Sequence, residues 1–143
     1  MTLKELYNEA EKEDIKIIKY DLGQDLIWKG ECLCDDCKNC MIFLNEHILE
    51  ESLEKCTLAH ELGHYHTFVL QNNVLSSEYR DTLIRSINDF RANKWAIGKL
   101  IPFHVFKKFL NTNMTKFEVA ECLNVTVEVV ELACHIYEPL LKL

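Results

Sequence analysis

His60-Glu61-Leu62-Gly63-His64, set in the longer run Thr57-Leu58-Ala59-His60-Glu61-Leu62-Gly63-His64-Tyr65-His66, is the stretch on which the reading of this chain turns. If it is helical, His60 and His64 lie one turn apart on one face, so two imidazoles can close on one Zn²⁺. Glu61 then points at the open position of the metal. There it can take a proton from a water whose pKa the metal lowers to about 7 and pass it to a leaving amine. The pattern implies metal-assisted peptide hydrolysis. The competing reading is an accidental match, with both histidines on an ordinary surface or in a core. Neighbouring residues favour the first. Residues 52–70 hold no proline, and Leu58, Leu62, Tyr65 and Val69 form an apolar helical stripe on a different face from Thr57, His60, Glu61 and His64. One face can enter a core while the other lines a cleft. Gly63 costs roughly 1 kcal/mol of helix propensity relative to Ala, which predicts a neighbour lying close to the backbone.

On either side of this helix the chain changes character. Leu3, Leu6, Tyr7 and Ala10 mark an amphipathic first helix, and Ile15, Ile17 and Ile18 alternate with lysines as in a half-buried strand. Leu26-Ile27-Trp28 and Met41-Ile42-Phe43-Leu44 read as two further short strands, with residues 31–40 as a loop or hairpin tip between them. Helices are expected over residues 50–71, 78–99, 103–110, 116–123 and 127–141, separated by Asn72-Asn73, Ser76-Ser77, Pro102 and the polar break at 111–114. This order predicts an α+β fold, a small three-stranded sheet packed on the histidine helix and followed by a mainly helical half.

Size and charge narrow the classes. The 143 residues, 48% hydrophobic with two prolines, suit one domain over residues 1–143. A formal charge of -7 argues against general affinity for nucleic acid or anionic membranes. No run approaches the roughly 18 apolar residues of a membrane span, and the N-terminus starts an acidic amphipathic helix in place of a signal peptide. The expectation is a soluble, cytoplasmic protein. Seven cysteines, an odd number, are read there as reduced thiols or metal ligands and not as a disulfide framework.

A catalytic zinc needs a third protein ligand. Asp89 and Asn93 stand four apart on the next helix and share a face with Ala92 and Ala96, whose small side chains would let that helix lie close. Asp89 can bind the metal, and Asn93 can hydrogen-bond a ligand histidine from behind. The alternative is that Asp89 is a solvated helix carboxylate. His66 competes chemically, but two residues beyond His64 is about 200° around a helix. His47, His104 and His135 have no spacing argument and are expected to be ordinary polar residues.

These residues resemble a known family. The run Thr57 to His66, with Asp89-Phe90-Arg91-Ala92-Asn93-Lys94-Trp95-Ala96 leading to Leu100-Ile101-Pro102, is similar to the paired signatures of the ImmA/IrrE-type zinc metallopeptidases of bacteria and their phages. The resemblance spans roughly residues 1–140. It implies a zincin-like fold with His60, His64 and Asp89 as zinc ligands and Glu61 as general base and acid. That family usually carries Glu where this chain has Asp89, one methylene shorter, so the helix must approach closer, or water must bridge, or affinity must fall. It also implies an edge strand that binds an extended peptide, placed at residues 41–45, and a helix-turn-helix repressor encoded on a phage or mobile element as a substrate. Residues 103–143 form a helical C-terminal subdomain, in which Phe117 to Thr126 resembles the first helix and turn of a helix-turn-helix. The would-be recognition helix, Glu128 to Ala133, has two acidic residues and no basic one, which opposes DNA binding.

Cys32, Cys34, Cys37 and Cys40 place four thiols within nine residues. They could hold a second, structural Zn²⁺ or an iron-sulfur cluster, form an exposed redox-sensitive loop, or bridge an oligomer. The family resemblance does not extend to this segment. Cys56, Cys122 and Cys134 fall in helical patterns and are expected to be small buried hydrophobes. Three functions follow. The leading one is a zinc endopeptidase of narrow specificity acting on a protein partner, with Tyr65, His66, Tyr79 or Arg80 as candidate oxyanion donors. The second is a non-enzymatic binding or regulatory module on the same scaffold, and the third is a redox or metal sensor built on the cysteine loop.

Overall fold

The computed structural model describes residues 1–67 and 78–142, and the side chains within them except those of residues 78–84. Helix α1 (Leu3–Lys12) opens on a capping box, in which Thr2 and Glu5 each accept from the other's backbone N–H, and it buries Leu6 and Ala10, one turn apart. Three strands follow: β1 (Lys16–Tyr20), β2 (Gly30–Cys34) and β3 (Cys40–Asn45). They form one sheet in the order β1-β3-β2, with β1 parallel and β2 antiparallel to β3. Helices α2 (Glu51–His66), α3 (Glu78–Leu100), α4 (Phe103–Leu110), α5 (Lys116–Leu123) and α6 (Val127–Tyr137) complete the fold, and a 3₁₀ turn spans Glu138–Lys142. The α+β architecture read from the sequence is the one observed. The proposed helix breaks at Asn72-Asn73 and Ser76-Ser77 lie outside the described residues, as does Val69.

Two strand expectations are corrected. Leu26-Ile27-Trp28 is not a strand, because Asp21 and Asp25 accept hydrogen bonds from the N–H groups of Gly23 and Ile27 and Leu26 takes a left-handed φ of 58°. Such side chain to backbone bonds compete with a sheet ladder. The second strand instead begins at Gly30 and runs into the cysteine segment. In consequence β3 is the central strand, and the free edge near α2 belongs to β2, not to residues 41–45.

One core joins all the layers. Ile42 and Leu44 on the inner face of β3 meet Leu58 and Leu62 of α2, all essentially without solvent contact, and Leu6, Ile97 and Ile101 close the cluster. Each such side chain contributes about 1.5–3 kcal/mol by leaving water. Helices α5 and α6 add Val119, Ala120, Val130 and Ala133 to this same cluster. They are tied to α2 where Lys55 Nζ donates to the Leu123 carbonyl at 2.9 Å, and α6 is tied to the end of α3 where the Tyr137 hydroxyl donates to the Ile101 carbonyl at 2.7 Å. The exposed side of α6 carries Glu128 and Glu131. Among the described residues, no helix is long and apolar enough to cross a membrane.

Candidate metal centre

Helices α2 and α3 touch where both have lost bulk. A Cβ at Gly63 would run into the Ala92 carbonyl and lie 2.9 Å from Ala92 Cα, so glycine is the residue that permits this approach. The neighbour predicted at Gly63 is therefore the backbone of α3. The close crossing brings the shorter Asp89 within reach of α2. Its Oδ1 lies 3.0 Å from His64 Nε2 and 3.6 Å from His60 Nε2, and the two Nε2 atoms are 3.0 Å apart. A tetrahedral zinc with bonds of about 2.0–2.1 Å separates its ligand atoms by about 3.3–3.4 Å, a spacing that these distances bracket. Behind His60, Nδ1 donates to Asn93 Oδ1 at 2.6 Å. That bond places the ring proton on Nδ1 and leaves Nε2 a free lone pair turned toward His64 and Asp89. Burial, and then His60, hold the His64 pKa below the usual imidazole range against the opposing pull of Asp89, which favours the neutral, ligating form. The donor set fits a small divalent cation.

The cleft that contains these groups measures about 810 Å³ and is also lined by Trp28, Gly30, Glu31, Cys32, Thr67, Arg85 and Asn88. Glu61 forms part of its floor and is only 5% exposed. Burial raises its pKa to about 8, helped by Glu31 and Asp89 and opposed by the backbone N–H of Cys32. That N–H is available for a structural reason. Asn45 N–H bonds the Lys29 carbonyl across the β2–β3 pair, so the antiparallel alternation turns the N–H and C=O groups of Gly30, Cys32 and Cys34 to the free edge. Strand β2 also lies hard against α2. A Cβ at Gly30 would sit 2.9 Å from Thr57 Cγ2 and 3.4 Å from Glu61 Cγ.

The other histidines and donors go elsewhere. His66 stacks on Trp95 and sits 3.5 Å from Glu9, on the α1 side of α2. The Tyr65 hydroxyl donates to Glu13, so neither residue faces the cleft. Tyr79 and Arg80 have side chains outside the described residues. Arg85, which the sequence reading passed over, lines the cleft one turn before Asp89, and its i, i+4 relation to Asp89 was the signal available. Trp28 was also missed as a rim residue. It is positioned by Asn45, a fully buried side chain whose Nδ2 donates to the carbonyls of Gly23 and Trp28 at 2.8 Å each. His47 pairs with Asp21 at the surface, and His104 and His135 are exposed.

The cysteine segment departs from expectation. Cys34 and Cys40 stand opposite each other in the β2–β3 register and are joined as a disulfide, whereas all seven thiols were expected to be reduced. They occupy a non-hydrogen-bonded pair, where facing side chains come closest, a proximity that residue counting does not reveal. Cys32, two residues earlier on the same face, has its Sγ 3.8 Å from that of Cys34. Burial, with Glu61 and Glu31, pushes its thiol up to about 12. Cys37 is exposed at the turn and does not join this group, so the four cysteines do not converge as a set. Of the remaining three, Cys56 is buried as expected, Cys134 is half-buried, and Cys122 is exposed because it lies on the outer face of α5.

An α+β scaffold that turns two imidazoles and a carboxylate onto one point, beside a buried glutamate, is built as metallopeptidases are. The comparison with protein families makes this specific: the peptidase-family model described as the IrrE N-terminal-like domain matches residues 10–135, and the chain belongs to that family. The resemblance read from residues 57–66 and 89–102 is thereby borne out. Comparison with curated proteins gives no match.

Proposed function

We propose that this chain is a zinc endopeptidase of narrow specificity, with His60, His64 and Asp89 as the ligands. The observation that carries the reading is the convergence of those three donor groups within 3.0–3.6 Å, with Glu61 buried beside them. Zinc held there supplies a Lewis acid that polarises a peptide carbonyl and acidifies water. The chain's own groups do the rest. Glu61, buried beside the three donors, holds or releases a proton at its carboxylate. The outward-facing backbone of β2 pairs with an extended peptide as an added strand, with Trp28 at the rim for an apolar side chain. Arg85 is the one cationic side chain among the described residues lining the cleft, and it is placed to hold negative charge that develops on the substrate.

Family membership supports a protein substrate, and the resemblance implies a helix-turn-helix repressor as its class. The test compares new protein N-termini in cells producing the wild-type chain and Glu61→Gln. A small set of new termini present only with the wild type is expected. Identical sets would sink the enzyme reading, and capture of one partner by both proteins would then favour a binding module.

A further inference from the structure

A second concentration of metal-type donors borders the cleft, on the hairpin and not on the helices, with Cys32 and Cys34 in the cleft lining. The Sγ atoms of Cys32, Cys34 and Cys40 lie within 4.8 Å of one another. Strand geometry produces this cluster: Cys32 and Cys34 are two apart on the inner face of β2, and Cys40 faces Cys34 across the register. The surroundings are anionic. Glu31, Asp35, Asp36 and Asp89 line the same cleft against Arg85 alone among the described lining residues. Three soft donors in a negative field select a thiophilic cation.

The disulfide sets the condition for such a site. While Cys34 and Cys40 are joined, the cluster offers one free thiol, that of Cys32. Two electrons and two protons from a dithiol, which itself becomes a disulfide, break the S–S bond and yield the Cys34 and Cys40 thiols, which with Cys32 make three. Their protons leave to solvent as a cation binds. We propose that the reduced hairpin is a second metal site, in which Cys32, Cys34 and Cys40 hold one thiophilic divalent cation such as Zn²⁺, and that the Cys34–Cys40 disulfide is the form that closes it. Cys37, exposed at the turn, takes no part.

The proposal does not depend on peptidase activity, and its test keeps the two sites apart. The full-length His64→Ala protein, reduced with a phosphine, is titrated with cobalt(II). A sulfur-to-cobalt charge-transfer band saturating at one equivalent is expected. It should be absent after reoxidation, absent in His64→Ala carrying Cys32→Ser or Cys34→Ser, and retained with Cys37→Ser. A second measurement needs no substitution: the zinc content of the wild-type chain should rise by one equivalent on reduction and fall by one on reoxidation. No band in reduced His64→Ala, a band that survives Cys34→Ser, loss of the band with Cys37→Ser, or a zinc content indifferent to redox state each overturns the proposal. Failure of the histidine site is read separately, as oxidised wild type and oxidised His64→Ala binding the same amount of zinc.

Discussion

The α2–α3 crossing and the β2–β3 hairpin face one cleft with similar numbers of donor atoms, yet they hold them in opposite ways. Behind His60 and His64 stand Leu58 and Leu62, both without solvent contact, and Gly63 locks the crossing against Ala92. Of the cysteines only Cys32 packs against the core, and Cys34 and Cys40 sit at the end of the strand pair, beside a turn whose residues 35–39 are exposed. Donors backed by a core keep their geometry whatever is bound. Donors on a hairpin keep theirs through register and covalent state, and so can exist in two forms.

Substitutions that attack the two supports separately sharpen this contrast. The largest effect is expected from Gly63→Val, whose side chain has nowhere to go but into the Ala92 backbone. Stability should fall by about 3 kcal/mol or more, with loss of the histidine-site metal. An unchanged melting midpoint would show that the crossing is not locked. Asn93→Ala should leave the fold intact and weaken metal binding at the histidines about 10–100-fold, measured by competition with a chelator, while cobalt binding to the reduced hairpin stays as it was. Equal weakening at both places would break the contrast.

Gly30→Ala tests the seam between the regions. Its methyl meets Thr57 and the Phe43 carbonyl, and a cost of about 1–2 kcal/mol in denaturant unfolding is expected. The smallest effect belongs to Asp35, which accepts from the N–H groups of Asn39 and Cys37 and from the Asn39 side chain. These bonds, first among them the Asn39 backbone N–H, hold its pKa below the usual value. A lowered carboxyl pKa stabilises the turn above the unfolded value near about 4 and ceases to do so as pH falls through the folded value. The Cys37 and Asn39 amide resonances should therefore shift on acidification, and in Asp35→Ala that titration should vanish.

How much of this was legible follows from the same contrast. Helical period placed His60, Glu61 and His64 on one face, spacing paired Asp89 with Asn93, and Gly63, Ala92 and Ala96 announced a close crossing before any coordinates. The limits of α4 and α5 were also readable, from Pro102 and from the polar break at 111–114. The hairpin was not. A two-residue period does not say which residue of one strand faces which residue of the next, so the pairing of Cys34 with Cys40, and the edge position of β2, depended on a register that spacing does not encode. Arg85 and Trp28 were missed because each becomes a cleft residue only through another element, Arg85 through the α2–α3 crossing and Trp28 through Asn45.

That last attachment bears on how such a protein can diversify. The segment between β1 and β2 is anchored to the end of β3 through the Asn45 amide, which bonds backbone groups of Leu22, Gly23 and Trp28, with His47 pairing Asp21 beside it. Substitutions at the exposed Gln24 and Ile27 can therefore accumulate while the loop still returns Trp28 to the mouth of the cleft. Selectivity for a new target can change by altering this loop, without disturbing the helices that hold the metal-binding side chains.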